Sequence, residues 1–183
     1  MAGSLTVIAG GMYAGKSSEL IRYLSRAHFG KKTIQLFKPV VDNRYSASDV
    51  VTHSGSSLKA VPVDSALDIY SHLDPRTTVV GIDEAQFFDA SISHVADQLA
   101  NEGLEVIVAG LNQDSSGNPF GSMPTLLALA DDIVSVRAVC VVCGKDASKT
   151  YRLAQDAGQV LVGALGVYEA RCRGCWKSPR LPI

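Results

Sequence analysis

Apolar runs and amphipathic stretches take turns along the first 110 residues. Residues 5–9 (Leu-Thr-Val-Ile-Ala), 33–37, 78–82 and 105–110 are apolar runs of strand length, and helical spacing fills the gaps between them. In the first gap Leu20, Ile21, Leu24 and Ala27 fall at i, i+1, i+4 and i+7, a stripe that leaves Glu19, Arg22 and Arg26 on the outer face. A second helix is expected near residues 65–73. A third is expected near 92–102, with Ile92, Val95 and Leu99 inward and Gly103 as its stop. This alternation predicts an α/β fold on a mostly parallel sheet with right-handed crossovers. Two segments break the rhythm. Ser46, Ser48, Ser54, Gly55, Ser56 and Ser57 predict a mobile loop or hairpin over 42–57, and Gly117, Pro119 and Gly121 resist regular structure over 112–123.

Between the first strand and the first helix lies Gly10-Gly11-Met12-Tyr13-Ala14-Gly15-Lys16-Ser17, which fits the phosphate-loop pattern G-x-x-x-x-G-K-[ST]. Gly10, Gly11 and Gly15 let the backbone turn its N–H groups inward, where phosphate oxygens can sit on them. Lys16 would reach the β- and γ-phosphates, and the Ser17 hydroxyl would take one position on Mg²⁺. The helix that follows points its positive end at the same place. Function therefore starts from ATP or GTP.

The run 79–82 ends in Asp83-Glu84, adjacent carboxylates at the exit of a strand. Asp83 suits a Walker-B-like role, accepting from waters around Mg²⁺ or from Ser17. Successive strand residues face opposite ways, so Glu84 need not share the metal and can take a proton from an attacking hydroxyl or water. Two solvated acids that merely start a helix are the bland rival, which the upstream phosphate loop disfavours.

The four cysteines form two C-x₂-C knuckles, Cys140/Cys143 and Cys172/Cys175. Two such pairs make a tetrahedral S₄ site reachable, and zinc favours it; four thiolates leave no open position, so the metal should be structural. Disulfides and a redox C-x-x-C are the weaker alternatives. Between the knuckles Gly158, Gly163 and Gly166 interleave with Val160, Leu161, Val162, Leu165 and Val167. Such an apolar loop gives close backbone access, and peptide groups there could read a base edge that alternates donor and acceptors, as thymine does.

At 183 residues the chain is long enough for one α/β domain and a small appendage, burying roughly 70% of its unfolded surface. Seventeen basic against eighteen acidic residues give a net charge of −1. A broad electrostatic footprint on nucleic acid is therefore not expected. No apolar stretch approaches the ~20 residues of a membrane span, and a cytoplasmic location is the default expectation.

Four segments occur in order: G-x-M-Y-A-G-K-S-S-E-L-I-R, I-D-E-A-Q-F-F, A-V-C-x-x-C and V-Y-E-x-R-C-x-x-C. In these the chain resembles the type II thymidine kinases over residues 5–176. The resemblance implies a parallel P-loop sheet in RecA-like order (1–138), a small zinc-binding, lasso-bearing C-terminal domain (139–177) and a tail (178–183). It implies transfer of the ATP γ-phosphate to the 5′-hydroxyl of thymidine in nucleoside salvage, with Mg²⁺ and structural Zn²⁺, in a cytosolic homotetramer that engages neither nucleic acid nor membrane.

Carried over residue by residue, the resemblance makes Glu84 the base. Gly10, Gly11, Met12, Tyr13, Ala14, Gly15, Lys16, Ser17, Ser18, Asp83 and Arg44 fall on the nucleotide. Met12, Phe87, Leu111, Phe120 and Thr150 line the thymine pocket. Val160, Val162 and Gly163 meet the base or sugar from a lasso at 150–171, Tyr168 closes over the nucleoside, and Asp42 and Arg44 stand near phosphates and sugar. Arg44 and Arg152 are candidates for transition-state charge. Cys140, Cys143, Cys172 and Cys175 hold the zinc. Asn112 stands where the family commonly has Asp, and Ser115 where an aromatic is frequent. Two rival readings are a nucleoside-monophosphate kinase with a four-cysteine lid and an ATP-driven nucleic-acid-binding module with a zinc ribbon. The lack of basic residues over 158–167 and the net charge argue against them.

Overall fold

Leu5, Val7 and Ala9 pack to one side of the first strand and Ile8 to the other, so this strand is apolar on both faces and must be covered twice. The sheet around it is built accordingly. The computed structural model describes residues 3–41, 49–51, 57–153 and 167–177. Its elements are β1 (Ser4–Gly10), α1 (Lys16–Phe29), β2 (Ile34–Pro39), β3 (Asp49–Val51), β4 (Ser57–Lys59), β5 (Val61–Val63), α2 (Asp68–His72), β6 (Val79–Ile82), a 3₁₀ turn (Ala85–Phe87), α3 (Ile92–Asn101), β7 (Glu105–Leu111), α4 (Met123–Leu129), β8 (Asp132–Ser135), β9 (Ala138–Val139), β10 (Asp146–Ala147), β11 (Lys149–Arg152), β12 (Tyr168–Arg171) and α5 (Arg173–Lys177).

Six strands form one parallel sheet in the order β5-β2-β6-β7-β1-β8. The strand carrying the phosphate loop, β1, and the strand carrying the acidic pair, β6, are separated by β7, which is the RecA-like order. On one face α1 buries Leu20, Ile21, Leu24 and Ala27 against Ile8, Leu36, Val79, Ile107 and Ala109. These are the four positions of the sequence stripe, and each large one contributes about 1.5–3 kcal/mol by leaving water. On the other face Ile92, Val95, Ala96 and Leu99 of α3, with Met123 and Leu126 of α4, cover Val7, Val80, Ile82, Val106 and Val108.

The helix expected over 65–73 shrinks to the five residues of α2. Ser65 donates through its main-chain N–H and hydroxyl to Asp68 Oδ2, at 2.9 and 2.8 Å, so the approach is a side-chain-closed turn, and Leu73 is already extended. In the segment 42–57, β3 pairs antiparallel with β4, as a hairpin would; residues 42–48 and 52–56 lie outside the described residues. The segment after β7 carries no strand or helix up to α4, but it is tied together. Asp114 Oδ1 accepts the N–H groups of Ser116 and Asn118, both at 2.9 Å, and Gln113 bridges Pro119.

Past β8 the chain forms two small antiparallel pairs, β9 with β10 and β11 with β12. Their core is Ala138, Cys140, Ala147 and Ala170, against which Ala14 of the phosphate loop packs. The C-terminal segment thus leans directly on the loop at the end of β1.

Candidate active site

Because the strands are parallel, β1, β6 and β7 all deliver their chains to the same edge of the sheet. Gly10 at the end of β1 stands beside Leu111 at the end of β7, and Ile82 of β6 beside Val108. Such an edge is where parallel α/β sheets present their loops to ligands.

At this edge the phosphate loop turns into α1. Gly15 sits at φ 83°, and an added Cβ there would meet nothing within 4 Å, so the glycine answers to the backbone angle alone. Tyr13 also adopts a left-handed conformation, φ 63°. Glu19 N–H donates to Gly15 O at 2.9 Å to start the helix, while the buried Lys16 donates through Nζ to Gly11 O at 2.9 Å and so spans the loop. Met12 N–H donates to Thr150 Oγ1 at 3.1 Å, which anchors the loop to β11. The result is a cradle at the positive end of a 14-residue helix, shaped for an anion.

Asp83 follows β6 and is only 4% exposed. Burial first, then the neighbouring charge of Glu84, pushes its carboxyl up to about 7, against the Ser17 hydroxyl, which donates to it and pulls it down. The Asp83–Ser17 contact crosses the end of β7 and brings together two hard oxygen donors of the kind Mg²⁺ takes. A carboxylate this desolvated gains strongly from a cation beside it.

Glu84 does not continue the strand. It has φ 52° and ψ 41°, a left-handed conformation that costs a non-glycine residue about 1–3 kcal/mol and persists only where the surroundings fix it. The alternation of strand side chains therefore does not separate the two acids; this backbone turn does. Its N–H donates to Asp83 Oδ1 at 2.9 Å, and Gln86 donates to its Oε2. The two carboxylates have different partners, Ser17 for one and Gln86 for the other. Gln86 belongs to the I-D-E-A-Q-F-F segment and received no role from the sequence; a lone polar residue between Ala85 and Phe87 was the available signal.

One residue on, Phe87 meets Phe120 edge to face, with ring centroids 5.6 Å apart. Leu111 is buried at the end of β7, and its N–H donates to Gln86 Oε1 at 2.8 Å. The sequence-selected Glu84, Phe87, Leu111 and Phe120 are thus joined through Gln86 and one aromatic contact. Thr150 is buried with its hydroxyl on the phosphate loop. Tyr168 faces Arg152 across the β11–β12 pair, the guanidinium carbon 5.9 Å from the ring centroid, and Leu153 N–H donates to Val167 O at 2.9 Å. These contacts close the base of the expected lasso. Asp42, Arg44, Val160, Val162, Gly163 and the tail 178–183 lie outside the described residues.

The sulfurs of Cys140, Cys143, Cys172 and Cys175 all lie within 4.8 Å of one another, and Cys143 and Cys172 are 3.7 Å apart. Tetrahedral zinc with bonds of about 2.3 Å requires sulfur separations of about 3.8 Å, so the four side chains could hold that ion. Cys175 N–H points at Cys172 Sγ from 3.5 Å and, as the main cause, holds that thiol below its usual range. Arg171 was also given no role by the sequence. Only 1% exposed, it reaches Glu169 Oε2 through Nη2 at 2.7 Å and Cys175 O through Nη1 at 3.2 Å, and stacks on Tyr151.

Among the described residues no helix is long and apolar enough to cross a membrane. The chain is similar to the genome packaging NTPase B204 of Sulfolobus turreted icosahedral virus 2. With that protein in complex with ATP-gammaS the TM-score is 0.48 at 18% identity, over 74% of this chain and 75% of that one. With its sulfate complex the TM-score is 0.45 at 18% identity, over 78% and 77%. The family model described as thymidine kinase matches residues 3–176, nearly the whole length. On that match the chain belongs to the thymidine kinase family and is a kinase.

Proposed function

We propose that the enzyme transfers the γ-phosphoryl group of ATP to the 5′-hydroxyl of thymidine, giving thymidine monophosphate and ADP. The observation that carries this reading is the division of labour between adjacent acids, Asp83 on the Ser17 hydroxyl and Glu84 on Gln86. The 5′-oxygen attacks the γ-phosphorus in line, the bond to the β,γ-bridging oxygen breaks, and the hydroxyl proton passes to Glu84. Lys16 exchanges Gly11 O for phosphate oxygens, and the N–H groups of residues 10–18 hold the charge that spreads over the γ-phosphoryl group. Ser17 and Asp83 would hold Mg²⁺, which neutralises phosphate charge when bound.

On the acceptor side Met12, Phe87, Leu111, Phe120 and Tyr168 enclose thymine, and the lasso carrying Val160, Val162 and Gly163 reads its edge through peptide groups. Asp42 and Arg44 serve sugar and phosphates. The four cysteines hold structural Zn²⁺ in a C-terminal domain, residues 139–177, set on the P-loop domain 1–138. A salvage role in DNA synthesis, a cytoplasmic location and a homotetramer complete the reading and rest on the family resemblance.

Replacing Glu84 by Gln tests it. Turnover with thymidine and Mg·ATP should fall by about 10²–10⁴, the usual contribution of a general base, with thymidine binding retained. Near-normal turnover removes Glu84 from the chemistry. ADP release with thymidine monophosphate but not thymidine as acceptor would replace the substrate assignment.

A further inference from the structure

Gln86 lies two residues beyond Glu84 in the 3₁₀ turn and is 3% exposed. Its Oε1 accepts the N–H of Leu111 at 2.8 Å, and its Nε2 donates to Glu84 Oε2. The first contact dictates the second. A peptide N–H can only donate, so the amide oxygen must face Leu111 and the NH₂ must face the carboxylate. The space for this is cut by Gly110, where a Cβ would stand 2.9 Å from Gln86 Oε1 and 2.4 Å from Met123 Sδ. Gln86 is therefore held at its oxygen by the end of β7 and is buried in a slot that the missing Cβ of Gly110 leaves open. Glu84 is half-buried.

We infer that Gln86 is a positioning residue for phosphoryl transfer: anchored on Leu111 N–H, it grips Glu84 Oε2 and thereby sets where Oε1 stands toward the acceptor hydroxyl. The inference rests on the reading of Glu84 as the base. It also gives Leu111 a second task, because its main chain, and not only its side chain, contributes to the site. A misplacement on the order of 1 Å between base and hydroxyl lowers turnover without requiring any loss of substrate affinity.

The test uses the full chain and two substitutions. Gln86→Leu and Gln86→Met both fill the slot, and neither offers Leu111 N–H an acceptor or Glu84 a donor. Each should lower kcat about 10- to 100-fold, the worth of a hydrogen bond to a charged group, while thymidine KM stays within about threefold. In a Glu84→Gln background Gln86→Met should then cost less than about threefold, because the group it acts through is already gone. Equal costs in the two backgrounds, or unchanged kcat in both single variants, overturn the inference and leave the base reading standing. Near-normal turnover of Glu84→Gln alone overturns the base reading, and the inference with it. Thermal midpoints identify a variant that does not fold, and the other substitution then decides.

Discussion

The indole N–H of Trp176 donates to the main-chain oxygen of Thr150 at 3.1 Å and to that of Ser115 at 3.2 Å. Trp176 directly follows Cys175, and Thr150 accepts the N–H of Met12 through its hydroxyl. One peptide bond and two hydrogen bonds therefore lead from the cysteine cluster through an indole and a threonine to the phosphate loop. The cysteine-bearing segment and the loop are not independent modules.

Removal of zinc should be felt at that loop. Trp176 is the chain's one tryptophan, so its emission reports this junction without labelling. Chelation should shift the emission to the red as the half-buried indole becomes hydrated, and KM for ATP should rise together with that for thymidine. A shifted spectrum with unchanged KM for ATP would mean that the junction transmits nothing to the loop.

The Thr150 hydroxyl can be tested by shape-conserving substitution. Valine keeps the branched side chain but leaves Met12 N–H without its acceptor, a loss worth about 1–3 kcal/mol in a buried setting. We expect Thr150→Val to raise KM for ATP about tenfold. Thr150→Ser should stay close to the parent. If thymidine KM moves instead, Thr150 belongs to the thymine pocket, as the family resemblance implies.

An acid-sensitive element lies at the start of α3. Asp89 Oδ1 accepts the N–H and hydroxyl of Ser91, and its Oδ2 accepts Ala66 N–H at 3.0 Å. The Ser91 hydroxyl foremost, then the Ala66 N–H, holds this carboxyl below its usual range. A carboxyl that is more acidic in the folded than in the unfolded chain contributes stability that is fully present above the unfolded value, about 3.9, and disappears as pH falls through the folded one. Urea midpoints of the parent and of Asp89→Asn, measured from pH 6 down to pH 3, should differ most at the upper end, with the gap narrowing as pH falls. A gap independent of pH would show that the charge on Asp89 is not what stabilises the turn.

What the sequence discloses and what it withholds divide on physical grounds. The stripe Leu20, Ile21, Leu24 and Ala27 was legible because a helix against a sheet obeys a period of 3.6. The phosphate loop, the acidic pair and the paired knuckles were legible because their chemistry depends on local spacing. The later strands were not. β8 is an edge strand with Ile133 exposed, and β9 and β10 have two residues each, too short for any period to show. The burial of Gln86 depends on a partner far along the chain, Leu111, 25 residues beyond it, and that of Arg171 in part on the Tyr151 ring. No local pattern encodes them.

Arg171 supplies the last case, in which charge alone is not enough. Its planar guanidinium meets three partners at once: the Glu169 carboxylate by Nε at 3.1 Å and Nη2 at 2.7 Å, the Cys175 carbonyl by Nη1 at 3.2 Å, and the Tyr151 ring face at 3.5 Å from the guanidinium carbon. A lysine in the same place keeps the charge but cannot form the fork and the stack together. The lost contact is the one that fixes the main chain of the last cysteine, so the second knuckle should loosen before the sheet does. We expect Arg171→Lys to cost about 2 kcal/mol or more in global stability and to speed the transfer of zinc to a colorimetric chelator. If zinc transfer keeps the parent's rate while stability falls, Arg171 supports the β11–β12 pair only and has no part in holding the metal.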